Sequence, residues 1–227
     1  MKDLLTEIRR KVRARDNGPA VDTMRKLGIA HKTIHGLSIA EIKNIASVYQ
    51  YNNDLATELW SWDNREFKIL ATFIADPKTI ALELLESWAK DLKDSELAEQ
   101  LAINLAFNTN KADVIVPLWL KSENPFTKKA AVVLLAWSAQ RSSNINELFF
   151  IKQLENLTNF IDDNIQLTKG ISFAFRAIGK RNIKLNKLVI GEVKQLKDNS
   201  SAAAKYIVED VLWELESDII KERLNKS

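Results

Sequence analysis

Asn124-Pro125-Phe126-Thr127-Lys128-Lys129-Ala130-Ala131-Val132-Val133-Leu134-Leu135-Ala136-Trp137 is the stretch on which the fold turns. Asn124 offers a capping side chain directly before a proline. Proline suits the first helical position, because the N–H it lacks would have no intrahelical partner there. Behind it, Ala130, Val133, Leu134 and Trp137 fall at the spacing of one helix face. The stretch predicts a helix over 125–141.

The same signals recur outward along the chain. Ser38 with Glu41 makes a capping box, and Asp63 with Glu66 and Asn144 with Glu147 repeat the pattern. Asp76-Pro77 again places a cap before proline. Leu55, Leu59 and Trp62 share one predicted face, and Phe67, Leu70, Ala71 and Ile74 share another. Together these predict helices over 3–15, 19–28, 38–50, 53–62, 64–75, 77–91, 94–108, 111–121, 125–141, 144–158, 163–180, 184–197, 200–215 and 217–225. Short connections make neighbours antiparallel. Helix pairs return about every 35–40 residues, the spacing of HEAT-type repeats. A plain bundle is the alternative, but many short helices in series favour an all-α, HEAT-like solenoid, a single domain over residues 1–227 with a concave, partly basic face.

Composition agrees. The chain has 6 glycines and 4 prolines in 227 residues, and 46% of residues are hydrophobic, which favours helix over irregular structure. No apolar run approaches the roughly 20 residues that span a bilayer. Residues 1–15 are charged and lack the apolar stretch of a signal peptide, so a cytoplasmic protein is expected. The absence of cysteine excludes disulfides, thiolate metal sites and cysteine nucleophiles. His31 and His35 near Gly36 make no metal set by spacing alone, and neither a metal nor a cofactor is expected. There is no Gly-rich phosphate loop and no hydrolase or zinc-protease signature.

The net charge of +3 does not by itself imply a nucleic-acid partner. Its distribution is more informative. Arg9, Arg10, Lys11, Arg13 and Arg15 form one basic stretch. Lys169, Arg176, Lys180, Arg181, Lys184 and Lys187 form another without an intervening acid. Such stretches read either as solvated helix faces or as surfaces that converge on a phosphate backbone.

Several segments resemble the DNA alkylation repair (AlkD-like) family. They are Asp54 to Trp60 (DLATELW), Arg65 to Ala71 (REFKILA), Asp76-Pro77 with Glu86 to Asp91, Asn124 to Ala131 (NPFTKKAA), and Lys169 to Asn182 (KGISFAFRAIGKRN). They stand in the family's order, and the run ending Ile178-Gly179-Lys180-Arg181-Asn182 is the most specific. Trp88 falls in a preceding helix and reads as core. The resemblance implies a HEAT-like solenoid that excises N3- and N7-alkylated purines from duplex DNA by hydrolysing the N-glycosidic bond. Such lesions are cationic, so an aromatic face suits the base and a carboxylate suits the oxocarbenium-like sugar.

Carried over position by position, the family's functional set is altered. Its first tryptophan falls on Ser95, its aspartate on Glu99, its arginine on Lys129 and its second tryptophan on Phe173. Ser95 removes an aromatic wall. Glu99 keeps the carboxylate on a longer arm, a displacement that can cost about 100-fold in rate. Lys129 keeps charge but loses the planar fork, and Phe173 keeps a ring with a weaker face potential. Phe173 reads equally as core, beside Ile171, Ala174 and Phe175. Lys128 and Lys129 oppose the helix dipole, which favours a functional reason for them.

Three readings follow. The first is a glycosylase with a remodelled site. In it Glu99 stabilises the sugar and orients water, Phe173 contacts the lesion, and Lys128, Lys129, Lys169, Arg176, Lys180 and Arg181 hold the backbone. The second is a non-catalytic DNA-binding paralogue, and the third is a protein-binding scaffold. A monomer bound to duplex DNA, including alkylated duplex, is the expected assembly.

Overall fold

The computed structural model describes residues 2–161 and 165–226. Among these there is no β-strand, only an isolated parallel bridge between Thr33 and Asn64. The helices are α1 (Lys2–Arg13), α2 (Gly18–Lys26), α3 (Ile39–Ala46), α4 (Asn53–Trp60), α5 (Arg65–Ile74), α6 (Leu82–Lys90), α7 (Ser95–Gln100), α8 (Ala112–Leu120), α9 (Pro125–Arg141), α10 (Glu147–Asn159), α11 (Ile165–Gly179), α12 (Ile183–Gln195), α13 (Ala202–Leu215) and α14 (Asp218–Asn225). A π-helical turn, Leu101–Ala106, and a 3-10 turn, Phe107–Thr109, continue from α7. Among the described residues, no helix is long and apolar enough to cross a membrane.

The chain forms two compact units, Met1–Asn110 and Lys111–Ser227. In the first, α5 packs on α3, α4, α7 and the π-helical turn, and α1 packs on α3. Trp60 of α4 stacks on Trp88 of α6 with centroids 4.4 Å apart and planes 2° from parallel. Trp88 is therefore core, as its position suggests. In the second unit, α9, α11 and α13 pack in succession. So do α8, α10 and α12, while α8 packs on α9 and α12 on α13. Alternate helices thus form two layers, the pattern of stacked helix pairs.

Local signals locate several helix starts. Ser38 and Glu41 form the expected capping box. Asn124 accepts from the Phe126 amide at 2.9 Å, with Pro125 in the first turn. Elsewhere tertiary partners displace the expected caps. Asn64 rather than Asp63 caps α5, accepting from Phe67 N at 3.0 Å. Asp63 is instead engaged by His31 and Lys93, each at 3.2 Å. Asn146 caps α10, while Glu147 turns to Lys184 at 2.6 Å. Asp76 does not start a helix. It accepts from Lys78 N at 3.0 Å and Thr79 Oγ1 at 2.8 Å, closing its own turn, and α6 begins only at Leu82.

The helix expected over 163–180 is described from Ile165 on, and residues 163–164 lie outside the described residues. Phe67, Leu70, Ala71 and Ile74 are buried together as their spacing predicts. Trp62 is not on the core face with Leu55 and Leu59. The α4 helix ends at Trp60, and Trp62 lies beyond it with 38% of its surface exposed.

Candidate nucleic-acid interface

Ser95 and Glu99 sit one turn apart on α7, both half-buried, and Asp94 caps the helix by accepting from Leu97 N at 2.9 Å. The orientation of α7 is fixed by Arg65. Its Nε and Nη2 donate to the two Glu96 oxygens at 2.6 and 2.7 Å. Its Nη1 donates to Leu37 O at 2.8 Å and to Glu66 Oε1 at 2.7 Å. Glu66 is fully buried and also accepts from the His35 and Gly36 amides at 2.9 and 3.1 Å. One guanidinium therefore ties α5, α7 and the loop before α3 together by bidentate, charge-assisted contacts.

A second charged cluster flanks the first. His31 is buried between Asp63 and Asp94, with Nε2 3.0 Å from Asp94 Oδ2. Burial pushes the Asp94 carboxyl up, but His31, the Leu97 amide and the Arg65 charge together bring it below its ordinary value. Lys68 donates to Trp60 O at 2.9 Å, binds Asp91, and lies 4.5 Å over the Trp60 ring. Beyond α7, Asn104 donates to Thr72 Oγ1 at 3.0 Å and Gln100 Oε1 at 2.9 Å from within the π-helical turn. Such turns recur at functional sites. Among the described residues, no group of three or more His, Asp or Glu is placed to hold a metal ion.

The remaining candidates lie in the second unit. Phe173 is half-buried, whereas Ile171, Ala174 and Phe175 beside it are fully buried. Lys128 lies 5.2 Å over the Phe160 ring. Lys129 is 6% exposed, and Lys169 is exposed. Arg176 pairs with Asp210 at 3.1 Å and Glu214 at 2.9 Å, and Lys180 pairs with the same Glu214. Burial pushes Glu214 up, but these two cations outweigh it and lower its pKa. These three pairs join α11 and the residue directly after it to α13.

Arg181 caps the end of α9. Its Nη1 donates to Ala139 O at 2.7 Å and Ser142 O at 3.0 Å, and its guanidinium carbon lies 4.5 Å over the Phe150 ring. Cations at a helix C-terminus complement the dipole and its orphan carbonyls. Burial lowers the Arg181 pKa, with the Glu147 charge acting the other way. Arg223 of α14 donates to Lys180 O at 2.8 Å.

Lys180, Arg181 and Arg223 then line one cavity of about 470 Å³ with Ala139, Gln140, Ala177 and Asn182. Three cations around one opening suit an anionic group of phosphate size. The sequence points to Lys180 and Arg181 but not to Arg223. No local signal marks Arg223, because its partner lies 43 positions away in the chain. Of the candidates, Lys180 and Arg181 share this cavity, Arg176 and Lys180 share Glu214, and Ser95 and Glu99 share α7. Ser95 and Glu99 belong to the first unit, and Phe173 and the lysine and arginine candidates to the second.

Alternating layers of helix pairs define a HEAT-like helical protein, and comparison with known proteins agrees. A solved structure aligns with 96% of this chain and 95% of its own, at TM-score 0.77 and 18% identity. It is described as belonging to a new family of proteins related to the HEAT-like repeat DNA glycosylases with affinity for branched DNA structures. The family model for DNA alkylation repair enzymes matches residues 8–206. The chain belongs to that family. No curated protein matches it significantly.

Proposed function

We propose that this chain is a DNA-binding member of the DNA alkylation repair family that grips the phosphodiester backbone with its second unit. The observation that carries the reading is the convergence of Lys180, Arg181 and Arg223 on one cavity. Among the described residues Arg181 is held by carbonyl oxygens rather than by a carboxylate, so its charge is oriented without being neutralised, and Arg223 donates to the carbonyl of Lys180. Exposed Lys169 extends the same basic stretch. Arg176 acts as a positioning residue that holds α11 against α13. The ligand is duplex DNA, including alkylated duplex, bound by a monomer. The affinity of the solved relative for branched DNA makes a junction a natural second ligand.

Binding of a fluorescent duplex, measured between about 50 and 200 mM salt, tests this. The Lys169→Ala/Lys180→Ala/Arg223→Ala variant should bind more weakly, and its log–log salt slope should shrink by about 0.9 for each phosphate it no longer neutralises. A folded wild-type protein that binds no DNA at the lowest salt would overturn the reading.

Excision is the second reading, favoured by Glu99. Its carboxylate sits half-buried on a helix held rigidly by Arg65 and Glu96. In this reading Glu99 stabilises the sugar cation and orients water, and Phe173 contacts the lesion. With Ser95 in place of an aromatic wall, excision is slower than the resemblance alone implies.

A further inference from the structure

Apart from the second unit's basic cavity, the first unit carries a cationic cleft with a different character. Arg9 and Arg13 of α1, Lys32, Thr33 and His35 of the loop between α2 and α3, and Trp62, Asp63, Asn64 and Phe67 enclose about 380 Å³. A shallower basin of about 520 Å³ continues from it along α1, lined by Thr6, Arg9, Arg10, Arg13 and Ala14.

The cations here are arranged unlike Arg176 and Lys180. Those two share the single carboxylate of Glu214, whereas the side chains of Arg9, Arg13 and Lys32 form no ion pair among the described residues. All three are exposed. The one carboxylate lining the cleft, Asp63, is already engaged by His31 and Lys93. The cleft therefore presents a surplus of positive charge on exposed side chains.

The cleft also has an aromatic wall. Trp62 is 38% exposed, its Nε1 donates to Glu58 at 3.3 Å, and the Arg9 guanidinium lies 4.1 Å over its ring. Phe67 meets Trp62 near edge-on at 6.1 Å, and His35 stacks beyond Phe67 at 6.4 Å. A guanidinium resting on an indole keeps its in-plane N–H donors available for an anion. A half-exposed tryptophan among unpaired cations is the combination that takes an unstacked base with its phosphate. In a paired duplex the base faces are covered by their neighbours, so a ring in this position is of little use to a duplex ligand.

We infer that the Arg9–Arg13–Lys32–Trp62 cleft is a binding site for single-stranded DNA, with a phosphate held by Arg9, Arg13 and Lys32 and an unstacked base against Trp62. This rests on the DNA-binding reading above and adds to the duplex-binding surface of the second unit one that prefers a single-stranded arm or gap.

The test uses the full chain with two probes, a fluorescent oligo(dT) 15-mer and a blunt duplex. Trp62→Ala and Arg9→Ala/Arg13→Ala should each weaken oligo(dT) binding by roughly tenfold. Both should leave duplex affinity nearly unchanged, and Trp62→Phe should retain most of the oligo(dT) affinity. Ultraviolet cross-linking of 5-iododeoxyuridine-substituted oligo(dT) should map to Trp62 by peptide mass. Oligo(dT) affinity unchanged in both variants, or lost equally in the Lys180→Ala/Arg223→Ala variant, would overturn the inference. Duplex binding without oligo(dT) binding also overturns it and leaves the DNA-binding reading standing. Binding of neither probe overturns both.

Discussion

Arg65 holds Glu96 through two parallel hydrogen bonds of 2.6 and 2.7 Å while its third nitrogen contacts buried Glu66 at 2.7 Å. The helix that carries Glu99 is thus oriented by a guanidinium 31 positions earlier than its partner. Removing that guanidinium leaves a fully buried carboxylate without its cation. Breaking a buried pair in this way costs about 3–5 kcal/mol. Arg65→Ala should lower the urea midpoint by a correspondingly large amount. Arg65→Lys should recover only part of the loss, because an ammonium cannot reach Glu96, Glu66 and Leu37 O in one plane.

Acid stability should depend on Asp94. Its pKa lies below the ordinary value of 3.8, so the unfolded chain binds the proton more readily than the folded one. Stability from this group is present above the unfolded value and is lost as pH falls through the folded one. Asp94→Asn keeps a side chain able to cap α7 but removes the charge. Urea denaturation of the variant, measured from pH 6 downward in small steps, should show a flatter acid limb than wild type. An identical limb would count against Asp94 as the source.

Gly36 should be intolerant of any side chain. Its φ is +82°, and a Cβ there would stand 2.4 Å from Asn17 O. Its amide also satisfies Glu66 at 3.1 Å. The steric and conformational terms together predict that Gly36→Ala costs about 2 kcal/mol or more, read from thermal or urea unfolding.

Arg181 and Lys169 should separate structure from binding. Arg181 satisfies carbonyls at the end of α9, so Arg181→Ala should lower stability by about 1–2 kcal/mol as well as weaken DNA binding. Lys169 is exposed, and Lys169→Ala should alter DNA affinity with stability within about 0.5 kcal/mol of wild type. Paired unfolding and anisotropy measurements give both quantities.

Release of 7-methylguanine and 3-methyladenine from methylated duplex should be slow and should vanish in Glu99→Gln. The amide keeps the shape of the side chain but cannot stabilise a sugar cation. Equal release by wild type and variant would remove Glu99 from the chemistry. Release at the no-enzyme rate, with DNA binding intact, would leave a DNA-binding protein without excision.

The sequence alone determined the helical class, several helix starts and the family. Ser38 with Glu41, Asn124 with Pro125, and the Phe67–Ile74 face were legible because caps and helical faces are contacts between residues three or four apart. Lys180 and Arg181 were legible as part of an acid-free basic stretch, and more specifically through the resemblance. Tertiary structure decided the rest. Asn64 caps α5 because His31 and Lys93 hold Asp63, and the turn that Asp76 closes is held by Asn53, which accepts from Asp76 N at 2.8 Å and donates to Thr79 Oγ1 at 3.1 Å. Trp62 reads as core by spacing, yet it lies outside the helix beneath Arg9, and Arg223 joins Lys180 from 43 positions away. Charged side chains carry no positional code of their own. Which cation meets which carboxylate or carbonyl, and which is left facing solvent, is set by the distances that packing imposes between distant parts of the chain.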